Sequence, residues 1–166
     1  VKALSFTQPW LEAAIFRLGK RIENRQLWRH GCSYRGPILL HAAKSTGTRA
    51  DFDETVRWIL GAAPSGRALL DGVASEVRGR WVPSTRLVCG AIVGRARIDG
   101  TISTADDLHA YAANVAGGAG QHVWWMGGFA LVLSDVERIA DPIAWKGALG
   151  LFDVASNLDG STWTRP

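Results

Sequence analysis

Strand signals are scattered irregularly along this chain of 166 residues, and their order never repeats the strand–helix–strand rhythm of a doubly wound sheet. Leu4 and Phe6 share one face of a short first strand. Thr7-Gln8-Pro9 then opens a helix, since proline is tolerated in a first turn. Leu11, Ala14, Ile15 and Leu18 stripe that helix, and Gly19 suits the left-handed position that closes it. Arg21 to Trp28 reads as a polar strand or extended loop. As a strand it sets Arg21, Glu23 and Arg25 on one face, with neighbours roughly 7 Å apart. Tyr34-Arg35-Gly36-Pro37 is a turn. Ile38-Leu39-Leu40-His41-Ala42 is apolar on both faces, which predicts a central strand ending near His41.

Residues 48–79 read as two helices inserted outside the barrel core. Phe52, Val56, Ile59 and Leu60 stripe the first, and Leu69, Leu70, Val73 and Val77 stripe the second. A long strand follows over 87–99. Thr104 is a good N-cap for a helix through Val115, with Asp106 and Asp107 in its first turn. Phe129 to Leu133, Asp135 to Ile139 and Ala148 to Val154 are further strands, and 157–166 is a polar tail. Five or six strands with flanking helices predict an α+β fold, a small β-barrel in a single domain over 1–156.

Composition narrows the function. An apolar share of 47% and a charged share of 20% belong to a folded globule. No run is long enough to span a membrane, and the first residues lack a signal peptide's pattern. Cys32 and Cys89 stand far apart, without metal-ligand spacing. No disulfide, metal or cofactor is therefore expected, and a cytoplasmic monomer is. Nineteen Lys and Arg face fifteen Asp and Glu, a net charge of +4. The segment Arg17 to Lys44 is one-sided, with Glu23 its only acid, which predicts one wall of a basic cleft for an anionic partner. Eight tryptophans is a high number for this length. Trp10, Trp28, Trp124, Trp125 and Trp145 sit beside Gly, Pro or basic residues, where an indole could stack on a base.

Lys20, Glu23 and Arg25 are the leading candidates for chemistry. By spacing alone they make a surface ion pair on a strand. At a cavity mouth, a Lys beside a Glu could have a lowered pKa and act as base or nucleophile. His41 and Lys44 are read equally well as a structural histidine with a loop lysine or as a phosphate site. No G-x-S-x-G and no H-E-x-x-H occurs, and the glycines from Gly117 to Gly120 lack the context of a phosphate loop.

Four blocks in order carry a family resemblance. Leu4-Ser5-Phe6-Thr7-Gln8-Pro9-Trp10 resembles the opening of ASCH-domain proteins, in the PUA-like superfamily. Leu18-Gly19-Lys20-Arg21-Ile22-Glu23-Asn24-Arg25 resembles their G-x-K-x-x-E-x-R motif, with Leu18 where the motif has its first glycine. Tyr34-Arg35-Gly36-Pro37 with His41-Ala42-Ala43-Lys44 resembles the second block. Residues 129–133 and 146–152 resemble the closing strands. The resemblance covers roughly the first 45 residues and 87–154.

It implies a PUA-like barrel that holds single-stranded RNA, or a modified nucleotide, in a basic cleft lined by tryptophans. Together with the basic and tryptophan positions read from the residues themselves, the candidate binding residues are Gln8, Trp10, Lys20, Arg25, Trp28, Arg29, Arg35, His41, Lys44, Trp124, Trp125 and Lys146. It implies as an alternative a hydrolase of amidohydrolase or ribonuclease type, acting on RNA or a modified pyrimidine nucleoside through Lys20 and Glu23. Family members that hydrolyse an acyl amide on cytidine carry Thr three residues after the motif lysine, and Glu23 stands there in this chain. That departure speaks against simple transfer of the activity.

Overall fold

In a computed structural model, the described residues are 1–25, 28, 31–62, 64–115 and 118–154. Arg29 and the polar tail lie outside them. The fold is α+β. Six strands form one curled sheet, a half-barrel in the order β2-β7-β6-β3-β1-β8. These are β1 (Lys2–Phe6), β2 (Ile22–Asn24), β3 (Gly36–Ala42), β6 (Ala91–Ile102), β7 (Ala130–Ala144) and β8 (Leu151–Asp153). β4 (Ala74–Val77) and β5 (Arg80–Pro83) pair separately as a hairpin. The two α-helices are α1 (Arg49–Ala62) and α2 (Ala105–Asn114). No helix among the described residues is long and apolar enough to cross a membrane.

The apolar run of β3 is central as expected. It pairs with β1 in parallel and with β6 in antiparallel, in a register that sets Ser5 opposite His41. The strands expected at 129–133 and 135–139 are one strand, β7. It stays continuous because β6 is long enough to pair along most of its length, with three register shifts. Thr104 caps α2 reciprocally with Asp107.

The first helix is a π-helix over Trp10–Arg17 rather than an α-helix. Its widened turn is visible where the Leu18 amide reaches the Ala13 carbonyl at 3.0 Å. The Lys20 amide then folds back to the Ala14 carbonyl at 2.9 Å. Gly19 supplies the positive φ of 69° for that reversal. Lys20 is thereby directed inward, beneath Trp10.

The excursion between β3 and β6 differs from expectation. Only α1 is an α-helix. Pro64–Leu70 is a 3₁₀ helix, and the second expected helix is instead the β4–β5 hairpin. Gly72 interrupts the helical stripe at a φ of 71°. Arg78 and Gly79 take φ values of 51° and 74°, the left-handed pair that a tight two-residue hairpin turn needs. Val77, a stripe residue on the helical reading, is exposed.

The excursion also packs on the sheet. Phe52, Val56, Ile59, Leu70, Val73 and Trp81 share one buried cluster with Ala13, Ile22, Trp124 and Ala130. Trp58 of α1 contacts both Trp10 and Trp124, at centroid distances of 5.0 and 5.4 Å. A helical insertion standing outside the core would leave that cluster half empty. Phe52→Ala is therefore expected to cost about 3–5 kcal/mol and to preserve a single urea unfolding transition. Two separate transitions would show that the excursion unfolds independently of the sheet.

Candidate functional site

β2 and β8 are the two free edges of the half-barrel. β8 covers β1 only from Lys2 to Leu4, so the backbone of Ser5 lies beyond it. Arg25 fills that gap. Its amide donates to the Phe129 carbonyl at 2.8 Å, continuing the β2–β7 ladder. Its guanidinium reaches across the seam, donating from Nη2 to the Ser5 carbonyl at 2.8 Å. The same group lies 5.1 Å from the Phe6 ring and 5.9 Å from that of Trp28. Arg25 Nε is buried with no hydrogen-bond partner among the described residues.

Glu23 joins Arg25 to Lys20. Lys20 Nζ donates to Glu23 Oε2 at 2.7 Å, and Arg25 Nη2 lies 3.3 Å from Glu23 Oε1. The Lys20 ammonium also sits 4.9 Å from the Trp10 ring. The Lys20 and Glu23 side chains are only 4% and 12% exposed, so this is a buried pair and not the surface pair that spacing alone suggests. Two cations share one carboxylate. The trio therefore carries a net positive charge inside an aromatic frame.

On the far side of Ser5 its hydroxyl meets His41 Nδ1 at 3.0 Å. His41 Nε2 lies 3.0 Å from the Trp145 carbonyl, which can only accept. Neutral His41 therefore carries its proton on Nε2 and accepts the Ser5 hydroxyl at Nδ1. Gly147 roofs the pair. A Cβ there would stand 2.6 Å from His41 Nδ1 and 2.8 Å from Ser5 Oγ, so the loop can lie this close only as glycine. Beyond it opens a cleft of about 870 Å³, lined by Ser5, Lys44, Cys89, Trp145, Lys146 and Leu149 among others. Burial pushes the Cys89 thiol up and leaves it a protonated, poor nucleophile.

The remaining sequence candidates divide. Trp28 is half-buried, and its ring stacks on Phe129 at 6.3 Å. Trp10 is half-buried between Trp58 and Lys20. Lys44 and Lys146 are exposed on the cleft. Gln8 is a correction. It is buried, its Oε1 accepts the Glu12 amide at 3.1 Å, and its Nε2 donates to the Val88 carbonyl at 2.9 Å, which leaves it as a strut.

Trp124 is also a correction: at 4% exposure it belongs to the core against Trp58, with no face for a base. Trp125 packs on the same cluster, and its indole donates to the Gly128 carbonyl. Nor do the cations from Arg17 to Lys44 line one wall. Arg17 is spent on Glu12 and on the Leu69 and Asp71 carbonyls. Arg21 is spent on the Ile15 and Lys20 carbonyls, and Arg35 on those of Cys32 and Tyr34. Arg35 and Lys44 flank opposite ends of β3, which alone spans about 20 Å at about 3.3 Å per residue.

Sequence reasoning missed the Ser5–His41 pair and its Gly147 roof. The only signal was the alternation of β1, because the pairing needs a parallel register that spacing does not supply. Compared with protein-family models, the sequence matches none, and no curated protein matches it.

Removing Lys20 strands a buried carboxylate that keeps only the longer contact to Arg25. Lys20→Ala is expected to cost about 3 kcal/mol, against about 0–1 for an exposed pair. In a Glu23→Gln background the same change should cost at least about 1 kcal/mol less. Additive effects in urea unfolding would contradict the buried pair.

Proposed function

We propose that this chain is an ASCH-like domain of PUA-like type that binds single-stranded nucleic acid, RNA or a strand bearing a modified nucleotide, at the seam of its half-barrel. The observation that carries the reading is Arg25 at the open edge, held between Phe6 and Trp28 and backed by the Lys20–Glu23 pair. A base has a flat π-face and a polar rim. Trp28 and the guanidinium supply planes for the face. Arg25, the least buried of the trio, supplies donors for the rim, with Lys20 and Glu23 holding it from beneath, which suits unpaired bases rather than a duplex. Glu23 then orients the two cations and holds them at fixed separation, and an apolar frame strengthens each polar contact.

A hydrolase of a modified pyrimidine nucleoside or of RNA is the second reading. It draws on the 2.7 Å contact between Lys20 Nζ and Glu23 Oε2, a spacing suited to proton exchange. Acetate release from N4-acetylcytidine, abolished by Glu23→Gln, would favour it.

The test of binding is anisotropy of a labelled five-nucleotide oligouridylate. Stacking on one indole contributes roughly 1–3 kcal/mol, so Trp28→Ala should weaken binding about 5- to 150-fold. Arg25→Lys, which keeps the charge and loses the plane, should weaken it as well. Wild-type affinity in both variants, with unfolding midpoints unchanged, would overturn the seam as the binding site.

A further inference from the structure

We infer that the cleft between Lys44 and Lys146 is the phosphate subsite of this domain, and that its ligand is a nucleotide phosphate rather than an uncharged nucleoside. The inference rests on the seam reading and adds the position of the phosphate. The described cations are mostly spent. Lys2 is paired with Asp153, Arg57 with Asp53, Arg86 with Asp71, Arg95 with Glu137 and Arg97 with Asp99. Lys44 and Lys146 have no ion-pair or hydrogen-bond partner among the described residues, and no acid lines their cleft.

They come from sequence positions 44 and 146, one beyond β3 and the other beyond β7, so local sequence does not bring them together. The remaining wall is largely apolar, with Ala43, Ala144, Trp145 and Ala148, and Leu149 stands at the lip 99% exposed. Low-dielectric walls focus the field of the ammonium groups on whatever enters. The Ser5 hydroxyl is committed to His41, which leaves the lysines as the charged donors of the cleft.

The cleft also adjoins the seam at Ser5. The carbonyl of Ser5 accepts from Arg25 while its side chain lines the cleft, so a single residue separates the two. The loop from Trp145 to Gly150 runs from His41 at one end to Trp28 at the other. Gly150 lies where a Cβ would be 3.8 Å from the Trp28 ring. A base at Trp28 and its phosphate between the lysines therefore lie along one path.

The test compares wild type with the Lys44→Gln/Lys146→Gln double variant, using the five-nucleotide oligouridylate over a salt series and inorganic phosphate in an NMR titration. Each contact on a single strand adds about 0.7 to the slope of log K against log salt, so the double variant should lose about 1.4. Inorganic phosphate should shift the Gly90 and Gly147 amides in wild type and not in the variant. An unchanged slope in an oligonucleotide that still binds would overturn the subsite and leave the seam reading standing. Phosphate shifts at Gly147 with no oligonucleotide binding would sustain the subsite and overturn the seam reading. Absence of both responses would overturn the two together.

Discussion

The guanidinium of Arg25 bridging from β2 to the Ser5 carbonyl is the contact on which the site depends. A curled sheet that does not close leaves two edges with unsatisfied backbone, and burying such an edge without partners costs free energy. Here the shortness of β8 exposes the end of β1, and a charged side chain from the opposite edge supplies the missing donor. That donor cannot lie there alone. Glu23 neutralises part of it, and Lys20, turned inward by the π-helix and Gly19, balances Glu23 in turn. Closure of the seam and assembly of the charged trio are one event. Truncating either end of the trio is thus expected to affect folding as well as the proposed ligand contact.

This coupling explains why arginine and lysine divide the work. The arginines from Arg17 to Arg35 mostly donate to main-chain carbonyls, for which a planar fork with several donors is well suited. They hold loops to helix ends and strand starts. The lysines at 44 and 146 face the cleft with no partner among the described residues. A tally of basic residues along the sequence overstates the positive wall, because most of that charge is engaged in holding the chain in shape.

Much of the fold was legible. The run from Ile38 to Ala42 announced a central strand, Thr104 with Asp107 announced α2, and Gly19 announced the end of the first helix. The β4–β5 hairpin was not, because Leu69, Leu70, Val73 and Val77 fall at helical spacing while Gly72 and the Arg78-Gly79 turn decide the matter through backbone conformation. Of the site, the order Lys20, Glu23, Arg25 was visible, but its burial was not. Burial depends on the π-turn and on Trp10, which alternation cannot reveal. Gln8 and Trp124 looked available for a ligand because composition cannot tell a loop aromatic from a core one, or a free amide from a strut. Ser5, His41 and Gly147 lie far apart in sequence and meet only through strand register and the return of the last loop.

We propose that the open seam and the adjoining cleft form a single binding surface. A titration of ¹⁵N-labelled protein with the five-nucleotide oligouridylate tests it directly. The Trp28 indole and the amides of Gly147 and Gly150 should shift together along one binding curve, while Arg35 and Thr101 at the opposite end of the sheet stay still. Shifts confined to the Arg35 end, or separate curves for Trp28 and Gly147, would contradict it.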